Sequence, residues 1–293
     1  MGKIFAIMEI NNYMVDFESG GQKEVKLPSM PEAVRECLSQ MYSAEANIGK
    51  LYLMIQKDAG ITSSVLKLAN SSIYAMGHPT SDLNIAMTRI GLSALMQILI
   101  KYSIENAFLF EPIEFFDVKS FSKHSSWVYQ IAVEIGKILN VEKFSDLLVA
   151  GLMHDVGLLV RAVLDRPLMQ RLTEVCLAEK KDFNLVEKEL KLGSHQLFGA
   201  TILEKWQFPK EVVLLTKYHH TLENFRPKNF TIHQNKLINI LMLSDTVAHR
   251  YGDAFQQYPR ETRVNPQDLE ILGIQSQDLA NAIKQATQQL QFF

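Results

Sequence analysis

The stretch Gly151-Leu152-Met153-His154-Asp155-Val156-Gly157 sets two ionisable side chains side by side in a strongly apolar segment. An imidazole and a carboxylate are costly to bury unless each finds a partner. Both can ligate a metal ion, which would compensate for the loss of contact with water. The stretch therefore predicts a buried helical segment that carries part of a metal site.

Apolar residues recur at helical spacing on both sides of this stretch. After His124, for example, the stripe runs through Trp127, Val128, Ile131 and Ile135. We find no alternating segment long enough to predict a strand and no internal repeat, so we predict an all-α fold with two helical lobes. Helical patterns cover about residues 47–56, 61–70, 82–90, 93–107, 145–160, 167–179, 184–191, 195–206, 209–220 and 235–250.

The chain divides into three parts. Residues 1–26 are an N-terminal extension, ambiguous in pattern. Residues 27–110 form an N-terminal helical lobe, and residues 111–293 form a C-terminal lobe that carries the candidate site. The boundary is placed where Phe110-Glu111-Pro112-Ile113 breaks the helical pattern.

Several residues mark helix ends. Ser29-Met30-Pro31-Glu32 is typical of a capping box, with proline in the first turn. We predict that Asp58 caps a helix that ends at Asn70-Ser71, that Asn265 caps a helix with Pro266 in its first position, and that Ser276 caps the last helix.

Composition limits the classes of function. The 293 residues are 47% hydrophobic and 21% charged, with a net charge of −2, which argues against a general nucleic-acid-binding protein. Cys37 and Cys176 have no metal-ligand spacing and indicate no disulfide framework. The N-terminus lacks the long apolar core of a signal peptide, and no apolar run approaches the roughly 18 residues that span a membrane. We therefore expect a cytoplasmic protein.

Further candidate ligands lie on or beside the inward faces of their predicted helices. Mixed nitrogen and oxygen donors suit iron, manganese, nickel or zinc better than calcium. The predicted metal ligands are His124, His154, Asp155, His195, His219, His220 and Asp245.

Simpler roles exist for each residue taken singly. A lone histidine on an apolar stripe is usually a hydrogen-bonded core residue, and the pair His219-His220 is also typical of a helix C-cap. Asp245 would equally bond a neighbouring backbone N–H. The remaining histidines, interpreted as solvated in loops or at helix ends, are His78, His233 and His249.

The order His124, His154-Asp155, Asp245 resembles the HD superfamily of metal-dependent phosphohydrolases. The added His195 and His219-His220 look like its HD-GYP branch, whose members hydrolyse cyclic di-GMP at a centre of two or three metals. The N-terminal half instead resembles the HDOD domain, an all-helical bacterial signalling module generally regarded as lacking established catalysis. This resemblance covers about residues 27–285, and its motifs are Leu27–Pro31, Asp58–Ser71, Ala86–Gly91, His195–Gly199 and Trp206–Pro209.

Two departures argue against cyclic di-GMP hydrolysis. HD hydrolases commonly carry lysine after the His-Asp-x-Gly step, and this chain has Leu158. The Gly-Tyr-Pro element that follows the paired histidines is replaced by Thr221-Leu222-Glu223-Asn224-Phe225-Arg226-Pro227. A phosphate-directed cation and a substrate-shaping loop are therefore missing from the pattern.

The resemblance leads to a non-catalytic regulatory HDOD module that acts through signalling-protein partners or senses a nucleotide near the His/Asp cluster. On this interpretation no residue has a catalytic role. The first alternative is a metal-dependent phosphohydrolase, in which the metal activates a water for attack on phosphorus. The second is a scaffold whose polar cluster binds only water.

Overall fold

In the computed structural model, the described residues are 9–10, 13–15, 24–26, 30, 32–43, 48–75, 77–107, 115–142, 144–252 and 264–291. The predicted all-α fold class is confirmed, and most of these residues lie in helices. The helices are α1 Glu32–Tyr42, α2 Ile48–Ile55, α3 Ala59–Ala69, α4 Leu83–Ala107, α5 Val118–Ile138, α6 Ser145–Met153, α7 Val156–Leu164, α8 Arg166–Glu179, α9 Phe183–Glu189, α10 His195–Lys205, α11 Lys210–Tyr218, α12 Ile232–Tyr251, α13 Pro266–Leu272 and α14 Ser276–Leu290.

The N-terminal extension holds a small antiparallel sheet. Its strands are β1 Glu9–Ile10, β2 Tyr13–Val15 and β3 Glu24–Lys26, in the order β1-β2-β3. Glu9 pairs with Met14, and Tyr13 pairs with Lys26. Strands of two or three residues are too short to produce a period-2 pattern, which explains why the sequence left this segment ambiguous.

Helices α1 to α4 pack on one another, and α4 also contacts α5 and α6. The predicted break between residues 90 and 93 is a kink inside α4 at Gly91, whose φ of 74° lies in the left-handed region that glycine tolerates. Residues 108–114, where we placed the lobe boundary, lie outside the described residues, so that boundary stays a prediction. The same holds for the capping box, because Ser29 and Pro31 are also outside them.

Most predicted helix ends are confirmed. The Asp58 side chain accepts hydrogen bonds from the N–H groups of Gly60 and Ile61. Asn265 caps α13, with Pro266 in its first turn. The prediction for Ser276 was wrong by one position, because the cap residue is Gln275 and its side chain makes no capping bond.

Among the described residues, two segments are long and apolar enough to cross a membrane by composition alone, although the sequence showed no uninterrupted apolar run of that length. They are Leu83–Tyr102 and Ser145–Leu164, and the structure buries 61% and 89% of their most apolar windows. Each is also interrupted, the first at the Gly91 kink and the second between α6 and α7. Such burial is typical of helices in a protein core.

Candidate metal centre

The pair His154-Asp155 lies in a break between two helices. The sequence pattern predicted one helix over about residues 145–160, but α6 ends at Met153 and α7 begins at Val156. Both side chains are buried, with residue exposures of 0% for His154 and 5% for Asp155. The pair therefore sits at a turn inside the core rather than on a helical stripe.

Three glycines bring the backbones around this turn close together. A Cβ added at Gly151 would lie 3.3 Å from backbone atoms of Tyr129, so α6 runs against α5 at this point. A Cβ added at Gly157 would lie 1.9 Å from the carbonyl oxygen of His195 and 2.7 Å from the nitrogen of Gly199. Only glycine allows α7 and α10 to approach this closely, and the approach sets His195 beside Asp155.

The two oxygens of the Asp155 carboxylate face different histidines. Nε2 of His195 lies 3.4 Å and Nε2 of His219 lies 3.3 Å from Oδ1. On the other side, Nε2 of His154 lies 3.3 Å and Nε2 of His124 lies 3.9 Å from Oδ2. Asp155 is thus the residue around which four imidazoles from different parts of the chain gather.

Asp245, on α12, forms a second point of convergence. Its Oδ1 lies 3.2 Å from Nε2 of His124 and 3.8 Å from Nε2 of His154. It also lies 3.1 Å from Nε2 of His249, one helical turn further along. The interpretation of His249 as solvated was wrong, because its side chain is only 8% exposed and faces this cluster.

The structure brings all seven predicted ligands together. His220 completes the set, with its ring centroid 4.1 Å from that of His219 and 5.2 Å from that of His195. The two histidines that remain outside the cluster, His78 and His233, are exposed as predicted. Donor atoms lie within 4.8 Å of one another in three groups: Asp155, His195, His219, His220; His124, His154, Asp155; and His124, Asp245, His249.

Three of the imidazoles are oriented by a hydrogen bond on their outer side. Nδ1 of His154 donates to the carbonyl oxygen of Gly151 at 3.0 Å, and Nδ1 of His219 donates to that of Thr216 at 2.6 Å. Nδ1 of His195 bonds Oε2 of Glu187 at 2.9 Å. A proton on Nδ1 directs Nε2 inward, where it can bind a metal ion once it carries no proton itself, which is the usual arrangement of metal-binding histidines.

Glu187, which sequence analysis missed, joins the centre to a buried cation. Besides Nδ1 of His195, its carboxylate accepts the backbone N–H of that residue at 3.0 Å. Its Oε1 lies 2.5 Å from Nη1 of Arg161, whose Nη2 donates to the carbonyl oxygen of Gly193. The signals were present: Glu187 shares a helical face with Phe183 and Leu190, and Arg161 interrupts the apolar run of α7.

The carboxylates control the protonation of the centre. Burial alone would lower the pKa of His154, but Asp155 and Asp245 raise it to about 10. Burial likewise opposes the charged form of His195, and Glu187 and Asp155 raise its pKa to about 9. Burial would raise the pKa of Asp155, yet the charge on His154 and the surrounding imidazoles hold it well below its usual range.

The donor set fits a metal ion. Among the described residues, Oδ1 of Asp155 and Nε2 of His154 and of His124 have no partner in hydrogen-bonding geometry, although all are buried. Nε2 of His195 and Nε2 of His219 face each other at 3.4 Å. Two nitrogens bound to one ion at about 2.1 Å each lie roughly 3.0–3.4 Å apart. The inward atoms therefore have the spacing of donors around a shared ion.

Known proteins resemble this chain in sequence and in fold. The family model described as the HDOD domain matches residues 27–222. The chain is 21% identical over 211 residues to a protein of Treponema pallidum (strain Nichols), a match that covers 70% of this chain and 40% of that protein's length.

Solved structures share the fold. An HDOD domain protein of Geobacter sulfurreducens is 20% identical, with a TM-score of 0.76 and coverage of 94% of this chain and 93% of that one. A "Putative signal transduction protein" of Marinobacter aquaeolei VT8 is 18% identical, with a TM-score of 0.66 and coverage of 91% and 58%. A "Putative phosphohydrolase" of Shewanella amazonensis SB2B is 21% identical, with a TM-score of 0.64 and coverage of 91% and 93%.

Proposed function

This chain belongs to the HDOD domain family, and we propose that within it the protein is a non-catalytic regulatory module that binds a divalent transition metal. One observation carries the metal half of the proposal. Three buried histidines, His154, His195 and His219, donate Nδ1 to outer oxygens and direct Nε2 toward one carboxylate. Regulatory action would then run through signalling proteins or a nucleotide bound near the centre.

The chemistry of the donors defines the class of ion. Imidazole nitrogens together with carboxylate oxygens suit iron, manganese, nickel or zinc, whereas calcium prefers oxygen alone. The residues that would hold one or more such ions are the seven predicted from sequence. When bound, such an ion supplies Lewis acidity and lowers the pKa of a coordinated water. The chain's own contribution is to hold the imidazoles in one tautomer and to exclude bulk water.

Two positions after the His154-Asp155 pair offer no cation to a phosphate, and this favours the non-catalytic role. Leu158, where HD hydrolases commonly carry lysine, is 1% exposed and lies in the core. One turn further on, Arg161 is bound by Glu187 and by the Gly193 carbonyl oxygen. Neither position therefore offers a charge to a substrate phosphate, and such preorganised charge is usually the largest catalytic contribution.

The loop after the paired histidines supports the same conclusion. Arg226 donates to the carbonyl oxygen of Thr221 at 2.8 Å and to Oδ1 of Asn239 at 2.7 Å. It also contacts Oδ1 of Asn235 at 3.1 Å. The guanidinium thus fastens the loop to α12, and a cation used in this way is not available to bind a phosphodiester.

The second candidate is a metal-dependent phosphohydrolase. The completeness of the ligand set favours it, as does the shared fold with a solved protein named for that activity. In that case His154, Asp155 and Asp245 would hold the ion on which the activity depends.

A joint measurement of metal content and turnover tests the proposal. We expect purified protein to contain a transition metal and to hydrolyse cyclic di-GMP and other phosphodiesters negligibly. Asp155→Ala should lose metal and melt at a lower temperature, because a ligand that binds only the native state stabilises it. Glu142→Ala, which removes an exposed carboxylate, is the matched control. Metal-dependent turnover lost in Asp155→Ala would favour the hydrolase, and unchanged metal content in that variant would overturn the metal centre.

A further inference from the structure

We propose that Gln97 of α4 and Ser122 and Ser125 of α5 form a binding site for internal water between these two helices. The two helices pack on one another, and α4 also packs on α1, α2 and α3. The site would therefore join the N-terminal helices to α5 through water-mediated hydrogen bonds, which are nearly as favourable in enthalpy as direct ones. None of the three residues is a predicted metal ligand, so the inference does not depend on the metal centre.

The three side chains are buried polar groups with unused hydrogen-bonding atoms. Gln97 and Ser122 are each 1% exposed, and Ser125 is 2% exposed. Among the described residues, both amide atoms of Gln97 and both serine hydroxyl oxygens have no partner in hydrogen-bonding geometry. A buried amide without a partner costs free energy, and internal water typically bonds to such groups. The polar atoms are as many as one buried water uses.

Contacts at the two ends of the α4–α5 interface place Gln97 opposite the serines. At one end, the side chain of Tyr129 is hydrogen-bonded to Ser93. At the other end, burial lowers the pKa of Lys101 and the charge of Lys123 lowers it further, so these two residues lie near each other. The chain order reverses between the two contacts, so the helices run antiparallel. Gln97 lies one helical turn from Ser93 and one from Lys101, and so it faces the stretch of α5 that contains the serines.

Hydrogen bonds within a helix explain the serines but not the glutamine. A serine hydroxyl can rotate to donate to the carbonyl oxygen four residues earlier, as Ser126 does to that of Ser122 at 3.0 Å. The amide of Gln97 has two N–H donors and an acceptor oxygen to satisfy, and its neighbours along α4 are the buried apolar residues Met96 and Ile98. It therefore needs a polar partner from outside α4, and water bonded to the serine hydroxyls supplies one.

A crystal structure of the unmodified full chain, at a resolution that shows ordered water, tests the site directly. We expect at least one water within hydrogen-bonding distance of both the Gln97 amide and the hydroxyl of Ser122 or Ser125. An α4–α5 interface without such a water would overturn the proposal. A direct hydrogen bond between the glutamine and a serine, with no water between them, would overturn it too.

A double-mutant cycle tests the same site in solution. Gln97→Met removes the amide at similar volume, and Ser122→Ala/Ser125→Ala removes both hydroxyls. Groups that share bound water are coupled, so the melting temperature of the combined variant should lie about 2 °C above the value that adding the separate changes gives. Ser244→Ala is the matched control, because Ser244 is buried and its hydroxyl donates to the carbonyl oxygen of Ile240 within α12; its effect should add to that of Gln97→Met.

The outcomes of the cycle decide the inference without involving the metal centre. Additive changes for the glutamine and serine substitutions would overturn the water site and leave the proposed metal binding intact. Coupling of the same size to Ser244→Ala would also overturn it, because the effect would then not be specific to the α4–α5 interface. Should a variant fail to fold by circular dichroism, the crystal structure of the unmodified protein still decides.

Discussion

The contact between α7 and α10 at Gly157 gives a quantitative prediction for Gly157→Ala. The new methyl carbon would meet the His195 carbonyl oxygen at 1.9 Å and the Gly199 nitrogen at 2.7 Å, and both are backbone atoms. The helices must separate by about 1 Å or more, and overpacking of this kind typically costs 1–3 kcal/mol or more. We expect a loss of about 3 kcal/mol in the free energy of unfolding and a melting temperature lower by about 5 °C.

The same separation moves His195 away from Asp155, so Gly157→Ala should also bind metal less tightly. Gly136→Ala is the control, because it adds the same methyl in helix α5. Its neighbours are ring atoms of Phe144 at 3.1 Å, which a side-chain rotation relieves. The higher helix propensity of alanine adds about 1 kcal/mol of stability there and offsets the cost of moving the ring, so we expect almost no change in the free energy of unfolding. Chemical denaturation measures both variants, and equal stability of Gly157→Ala and the unmodified protein would refute the backbone contact.

Three further predictions follow from buried ionisable groups. Glu187→Gln should weaken metal binding without removing it, because the carboxylate that orients His195 becomes a neutral amide. The same zinc affinity in the variant and the unmodified protein would contradict this. Zinc affinity should rise between pH 7 and 9 by about tenfold per pH unit for each proton released. The reason is that the pKa of His154 is raised to about 10, so zinc must displace a proton from this ring. A zinc affinity that does not depend on pH would refute that displacement. Burial raises the pKa of Cys37 and Cys176 to about 12. Neither thiol should therefore react with a disulfide reagent at pH 8 until the chain is unfolded. Rapid labelling of the native protein would show instead that the thiols are accessible.

In the metal-free protein, the ionisation of His154 makes the stability of the fold depend on pH. Its pKa is raised in the folded state from 6.5 to about 10. The resulting stabilisation is therefore fully present below pH 6.5 and is lost as the pH rises through 10. Metal binding has the opposite dependence, because it requires the unprotonated ring.

Sequence patterns predicted the residues of the centre better than their positions on helices. His154 and Asp155 were recognisable because charge inside an apolar segment demands a partner, and the structure supplies several. Periodicity nevertheless predicted one continuous helix here, since the apolar spacing continues on either side of the break. A two-residue turn leaves no mark on hydrophobic periodicity when both flanking helices are buried.

The residues that were missed have signals of a different kind. His249 lies four residues after Asp245 and so on the same helical face, but its place near a helix end suggested exposure. Glu187 is one of several charged residues in α9, and only its register with Phe183 and Leu190 distinguishes it. Sequence alone could not show which helices would face these residues, because the convergence depends on close backbone contacts at glycines.

The contact between Gly157 and Gly199 has a mechanical consequence for the centre. Two backbones in direct contact can hardly move closer together, because no side chain lies between them that could change its rotamer. The spacing between Asp155 and His195 is therefore set by the main-chain contact between α7 and α10. Mutations that repack the core elsewhere should thus lower the stability of the protein well before they alter that spacing.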